Sequence, residues 1–493
     1  MKFISTRGND NVNNAGKAIV QGLANDGGLF VPENFTSVKE DLAKMLDMNY
    51  AEMASFIIGK FLDDYKKTDL LEFCEKAYSR FDDCDPAPVV KLDDGFYIME
   101  LFHGPTLAFK DVALTLLPSL LRSGADAENI SDEILILVAT SGDTGKAALS
   151  GFQDQKGIKI MVLYPSEGVS DMQKLQMCSQ EGSNVNVVGI KGNFDDCQNT
   201  VKQIFSSDDA NLTLKKKGVM LSSANSINFG RLVPQITYYF SSYIDLVNSS
   251  QIKLGDKINF VVPTGNFGDI LAGYYAKRMG LPIDKLVCAS NSNNVLTEFF
   301  ANGTYDKNRE FYKTTSPSMD ILISSNLERL IFELYDRNSK ETKEKMDQLK
   351  QNGKYEISST AFENLEKDFF AGYADEEECA QTIANVFDEY GYVIDPHTAV
   401  AVKVMEEFRQ FTDNKLPTVV LSTASPYKFP QSILSAITGK KVGDAFKASF
   451  ELEKETAAPI PEQILSLKNK EKRFTKVIDK NDAFNEVLKF IEK

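Results

Sequence analysis

From Glu133 onward, short apolar runs alternate with helix-length segments, and this alternation most constrains what the chain can fold into. Residues 133–140 (Glu-Ile-Leu-Ile-Leu-Val-Ala-Thr) are apolar on both faces, as a strand covered on both sides of a parallel sheet must be. Similar runs predict strands at 158–164, 185–190, 219–222, 258–262, 286–289 and 418–421. Helices are expected from Gly145 onward and at 171–180, 227–247, 270–279, 376–390 and 431–437, with an exposed helix and loop across the charged stretch 338–354. Parallel neighbours need long crossovers, so the fold class is α/β, with parallel sheets flanked by helices.

Before Asp82 the pattern differs. A Gly/Asn-rich opening leads through 24–32 into a turn and short strand, and 42–65 has the spacing of two short helices. Asp82-Asp83-Cys84-Asp85-Pro86-Ala87-Pro88 interrupts any helix. A small, mainly helical domain is therefore expected over 1–85, with the α/β region over 86–493. The last twenty or so residues read as a charged peripheral helix.

A net charge of −15 argues against a nucleic-acid or anionic membrane partner, though not against a local basic pocket. Six scattered cysteines without a C-x-x-C pair suit a reducing, cytoplasmic setting, and no apolar leader or membrane-length run is present. With only His103 and His397, a metal cluster has too few ligands.

The chemistry-bearing residues follow the predicted strands. Lys110 stands after a Gly104-Pro105 turn and the apolar Leu107-Ala108-Phe109. Burial would lower its pKa and make it a nucleophile toward a carbonyl carbon; alternatively, its stem lies on Phe109 and its charge pairs with Asp111. Thr140-Ser141-Gly142-Asp143-Thr144-Gly145-Lys146 lacks the first glycine and the final hydroxyl of a nucleotide-binding P-loop, but it could hold a carboxylate or be a plain tight turn. Pro263-Thr264-Gly265-Asn266-Phe267-Gly268-Asp269 leaves a strand and enters a helix, a setting for a phosphate, although Asp269 could equally be a helix cap. Asn225, Ser226 and Asn228, with Arg231 one turn on, suit a second anion or simply cap a helix. Thr423 lies just past the strand at 418–421. His397 reads as part of a helix start, and His103 carries no assignment.

Together these segments resemble the threonine synthases, pyridoxal-phosphate enzymes of fold type II in the tryptophan-synthase-β family. The resemblance runs over nearly the whole chain, from Ser5-Thr6-Arg7-Gly8 and 22–29 through the lysine motif 103–111. It implies a type II catalytic region with a smaller lobe at about 125–205 and a larger lobe from the remainder. It also implies that Lys110 holds pyridoxal 5′-phosphate as an internal aldimine and that Gly265, Asn266, Phe267, Gly268 and Asp269 form the cofactor-phosphate loop. Thr423 would bond the pyridine nitrogen. Thr106 and residues Ser141, Gly142, Asp143 and Thr144 would receive substrate, the last four at its α-carboxylate. Asn225, Ser226, Asn228 and Arg231 would grip its phosphate. The implied reaction converts O-phospho-L-homoserine and water to L-threonine and phosphate. The alternatives are a β-eliminating or β-replacing relative, or a ligand-binding relative without turnover. One departure is Ser425, where many relatives carry histidine.

Overall fold

Two sheets organise the chain beyond the N-terminal domain, and loops from their carboxyl ends meet through the ion pair of Asp143 and Lys428. The computed structural model describes residues 1–140, 142–166 and 169–492. The five-stranded sheet runs Val477–Ile478, Val185–Ile190, Ile158–Pro165, Glu133–Ala139, Val219–Ser222, all parallel. The six-stranded sheet runs Phe369–Tyr373, Ile283–Ser290, Ile258–Pro263, Thr418–Ser422, Phe96–Glu100, Val89–Asp93, parallel except for its last, antiparallel pair. Helices make the crossovers: Asp143–Phe152 and Asp171–Cys178 in the smaller sheet, Gly268–Arg278 in the larger. Residues 134–138 are wholly buried, as their two-faced apolar pattern requires.

The N-terminal segment has the expected helices Leu42–Met45 and Tyr50–Ile58, and also a three-stranded antiparallel sheet of Asn11–Val12, Phe3–Ser5 and Phe30–Pro32. It is not an appendage. Phe3 and Phe61 both set their rings edge-on to Phe229, at 4.7 and 5.8 Å. Arg7 donates to both oxygens of Glu328 at 2.9 and 2.8 Å, and Thr6 Oγ1 adds a third bond to the same carboxylate. Buried Arg329 reaches back to the carbonyls of Phe30 and Ile227.

Two expectations are corrected, and two strands were not anticipated. The helix expected at 227–247 is two, Phe229–Leu232 and Gln235–Asn248, because Pro234 has no N–H to continue the ladder. The strands Val89–Asp93 and Phe96–Glu100 were not expected; the first is half-exposed and charged, so it lacks an apolar run. The smaller sheet does not end near 205, since it takes Val219–Ser222 and Val477–Ile478 as well. The helix expected over the last residues is present as Ala483–Ile491, with Ala483, Val487 and Phe490 buried against that sheet. No helix among the described residues is long and apolar enough to cross a membrane, and no group of His, Cys, Asp and Glu among them is arranged to hold a metal.

Candidate active site

Loops at the carboxyl ends of strands in both sheets build the site, the place where ligands bind in parallel α/β folds. The lysine loop follows Phe96–Glu100 and is zipped to the segment after Thr418–Ser422. Phe109 N–H donates to the Thr423 carbonyl at 2.9 Å, and Ser425 N–H to the Leu107 carbonyl at 3.0 Å. The loop is strained: Leu107 sits at φ 62°, in the left-handed region that costs a branched side chain about 1–2 kcal/mol. Asp111 holds the turn, accepting from Thr106 N–H at 2.7 Å and Thr106 Oγ1 at 2.6 Å. A Cβ on Gly104 would lie 2.4 Å from the Cβ of Asp111, so only glycine fits there.

Asp111 is thus committed to Thr106, and the alternative in which it pairs with Lys110 does not hold. Lys110 begins the helix Lys110–Leu114, and among the described residues its amine makes no hydrogen bond or ion pair; it lies instead over the Phe109 ring, 4.8 Å from the centroid. Burial pushes its pKa down to about 8; Asp143 opposes this, while Arg231 and Lys428 add to it. Those three charges and Asp269 are the ones that act on Lys110, so the structure brings four separate loops around one amine.

The loop 263–269 enters the helix Gly268–Arg278 through a second strained residue, Phe267, at φ 62°. Gly265 is fixed by packing, since a Cβ there would stand 2.6 Å from the Ser318 carbonyl oxygen. A Cβ on Gly268 would meet nothing nearer than Asn326 Nδ2 at 3.5 Å. The first-turn N–H groups of this helix have no intrahelical acceptor, and with the macrodipole they form an anion cradle. Asn266 is braced rather than free, its carbonyl accepting from Asn326 and its side-chain oxygen from Ser325. Asp269 turns toward the helix Gln235–Asn248, where Tyr238 and Tyr239 hydroxyls donate to Oδ1 at 2.6 and 2.9 Å; Oδ2 has no partner among the described residues. Burial raises its pKa to about 6 against the pull of those hydroxyls and Lys110.

The segment 222–231 divides its work. Asn225 and Ser226 are half-buried, and their side chains make no hydrogen bond among the described residues. Asn228 is fully committed: its amide donates to the carbonyls of Ile19 and Ser223, both at 2.9 Å, and its oxygen accepts from Gly230 N–H. Ser222 Oγ likewise reaches the Val20 carbonyl, so the N-terminal domain braces this loop from behind. Arg231 is 3% exposed, and among the described residues it forms no ion pair; Nη1 donates to the Ala224 carbonyl and Nε has no partner. Burial lowers its pKa to about 10. A buried guanidinium with no counter-charge calls for an anion.

In the loop 140–145, Thr140 Oγ1 accepts from the N–H groups of Gly142 and Gly145. Those of Asp143 and Thr144, the first two residues of the helix Asp143–Phe152, have no intrahelical acceptor. Ser141 lies outside the described residues. The Asp143 carboxylate is no donor to an anion. Its Oδ1 takes Lys428 Nζ at 2.8 Å and Gln173 Nε2 at 2.9 Å. Burial alone would raise its pKa, but Lys428 and Lys110 outweigh burial and hold it well below the usual carboxylate range.

Lys428 was absent from the sequence-based site, although its surroundings offer the same signal as those of Lys110: a lysine among Pro426, Tyr427, Phe429 and Pro430 just past a buried strand. Thr423 is buried at 6% exposure, its hydroxyl making no hydrogen bond among the described residues. Ser425 caps the turn Pro426–Lys428, accepting from Tyr427 N–H at 3.3 Å. His397 is buried, bonded through Nδ1 to Asp395, and accepts Ser318 N–H at Nε2. His103 lies between Asp82 and Glu100, at 2.9 and 2.8 Å. Burial opposes its charge, but the bonds to Glu100 and Asp82 prevail and push its pKa up to about 9.

Three family models match the chain: Threonine synthase N terminus over residues 2–78, Pyridoxal-phosphate dependent enzyme over 83–423, and Threonine synthase, C-terminal over 398–491. Threonine synthase of Pseudomonas aeruginosa is 39% identical over 447 residues, covering 89% of this chain and 91% of that protein. Threonine synthase-like 1 of Macaca fascicularis is 40% identical over 448 residues, 88% of this chain, and the chain spans only 60% of that relative's length. The crystal structure of PLP-bound threonine synthase from Brucella melitensis superposes with a TM-score of 0.89 at 37% identity, covering 100% of both chains.

Proposed function

The chain belongs to the threonine synthase family, and from that premise we propose that it converts O-phospho-L-homoserine and water to L-threonine and phosphate with pyridoxal 5′-phosphate as cofactor. The observation that carries the reading is the pairing of an unpartnered, pKa-lowered amine at Lys110 with two distinct anion sites. Cofactor and substrate each bring a phosphate. A reaction with only one phosphorylated component would leave the second cradle idle.

The residues fit the cofactor. Lys110 would hold it covalently, the N–H groups following Gly265 and at the start of Gly268–Arg278 would take its phosphate, and Thr423 would face its ring nitrogen. When bound, the group supplies an electron sink for the carbanion. A neutral hydroxyl at Thr423 leaves that sink weaker than a carboxylate would. When its amine is free, Lys110 would take the substrate's α-proton, and a pKa near 8 suits a base near neutral pH. Arg231, with Asn225 and Ser226, would grip the substrate phosphate and stabilise it as it leaves from Cγ. The free N–H groups of Asp143 and Thr144 would orient the α-carboxylate. Asn228 acts at one remove, by fixing the loop that carries Arg231. Thr106 does the same for the lysine turn through Asp111.

Purified chain loaded with pyridoxal phosphate should release phosphate and form L-threonine in equal amounts from O-phospho-L-homoserine. Phosphate release without threonine would mark an eliminating relative, and no release would overturn the reading.

A further inference from the structure

The loop proposed to receive the substrate's α-carboxylate already holds a carboxylate of its own. Asp143 sits at the first position of the helix whose N-terminus would bind that second anion, and both would compete for the same donors. Asp143 is buried, so little water screens it. Left alone it would repel the substrate. It would also draw Lys110 toward the ammonium form, because Asp143 is the strongest charge acting on that amine.

Lys428 removes both problems. Its residue exposure is 1%, and its ammonium donates to Asp143 Oδ1 at 2.8 Å and to the Thr106 carbonyl at 2.8 Å. One cation thereby joins the carboxylate loop, the lysine loop and the segment beyond Thr423. Several local devices aim it inward. Ser425 caps the turn, Pro426 opens it, and the backbone bond from Ser425 to Leu107 locks it against the lysine loop. Gln173 donates to the same Asp143 oxygen and fixes the carboxylate's orientation. The charged groups acting on Lys110 are then Asp143, Lys428, Arg231 and Asp269, two of each sign.

We propose that Lys428 is a positioning residue that neutralises Asp143, so that the helix N-terminus at Asp143–Phe152 is free to take the α-carboxylate of an amino-acid substrate. The inference rests on the reaction proposed above and assigns the charge balance on which recognition of its amino-acid end depends. Ser425 gains a role as well, because its hydroxyl shapes the turn that delivers the cation.

The test is a double-mutant cycle on the cofactor-loaded chain, with Lys428→Met, Asp143→Asn and both together. In Lys428→Met the unpaired Asp143 should raise KM for O-phospho-L-homoserine about 100-fold, with kcat changed far less, as expected for two like charges brought together in a buried site. Adding Asp143→Asn should recover most of that loss, although the double variant has fewer hydrogen bonds than either single one. A purely structural role predicts the reverse, with the double variant at least as impaired as Lys428→Met. Calorimetry supplies a readout apart from turnover. Lys428→Met should weaken binding of L-threonine and leave L-threoninamide, which lacks the carboxylate, unchanged. Equal effects on the two ligands, or no recovery in the double variant, would overturn the proposal. If Lys428→Met is insoluble, the double variant decides alone: binding of L-threonine within about tenfold of the unsubstituted chain supports neutralisation, and loss beyond that refutes it. Failure of the unsubstituted chain to turn over phosphohomoserine would instead count against the functional reading.

Discussion

A buried and a half-buried lysine share one site, and they differ in company. Lys428 has an aspartate and a carbonyl at hydrogen-bond distance; Lys110 has neither among the described residues. A buried ammonium is stable only with such partners, whereas an amine without them yields its proton. The same side chain is therefore a paired charge in one loop and, in its neighbour, an unpaired amine suited to the proposed roles of nucleophile and base. What separates the roles is the partner each loop supplies, and His103 extends the comparison. Held by two carboxylates, it moves to a higher pKa even though burial acts on it in the same direction as on Lys110.

The sharpest way to break the contrast is to remove the unpartnered amine. Lys110→Ala should lower kcat about 10⁴-fold and abolish the pyridoxyl adduct that borohydride reduction fixes on the unsubstituted chain, measured by assay and by mass spectrometry of the denatured chain. Next is the bare guanidinium. Arg231→Ala should reduce kcat/KM about 10²- to 10³-fold while cofactor retention on gel filtration is unchanged. Equal loss of cofactor would show that Arg231 serves the other phosphate. The charge state itself gives a smaller, signed effect. Because the Lys110 amine is neutral above about 8, the rate at which cofactor-free chain captures pyridoxal phosphate should rise about tenfold from pH 7 to pH 9 and then level. A rise continuing past pH 10 would mean an ordinary lysine.

The smallest effect concerns stability. His103 has a folded pKa above its unfolded value near 6.5, so its ion pairs stabilise fully below about pH 6.5 and lose their contribution as pH rises through about 9. His103→Gln should lower Tm by a few degrees at about pH 6, by progressively less as pH rises from about 6.5 to 9, and by little above that, followed by calorimetric scans. A deficit independent of pH would reduce His103 to a packing role.

The strand alternation was legible because burial on both faces leaves no polar residue in the run, as at residues 134–138. The strand Val89–Asp93 was not, because Lys91 and Asp93 on an exposed edge look like loop. The lysine and phosphate loops were legible as local motifs. Lys428 escaped because its meaning lies in Asp143, far away in the chain, and no local pattern records a pairing across loops. For the same reason the commitment of Asn228 to the Ile19 carbonyl was out of reach, and its amide looked like a free donor. Family resemblance conveyed which residues matter more readily than how each atom is engaged.

The smaller sheet has a consequence for how the chain is made. Its strands from Glu133 to Ile190 are made long before Val477–Ile478, which pairs with the end of the edge strand, at Gly189 and Ile190. Until residues 477–478 leave the ribosome, the N–H and C=O groups at that end of the edge stand open to any passing strand. Pairing so distant in sequence is slow to form, because loop closure must precede its reward. The nascent chain therefore passes through a long interval with that end of the edge open, which makes aggregation during translation the vulnerability to expect when residues 477–478 are removed or altered.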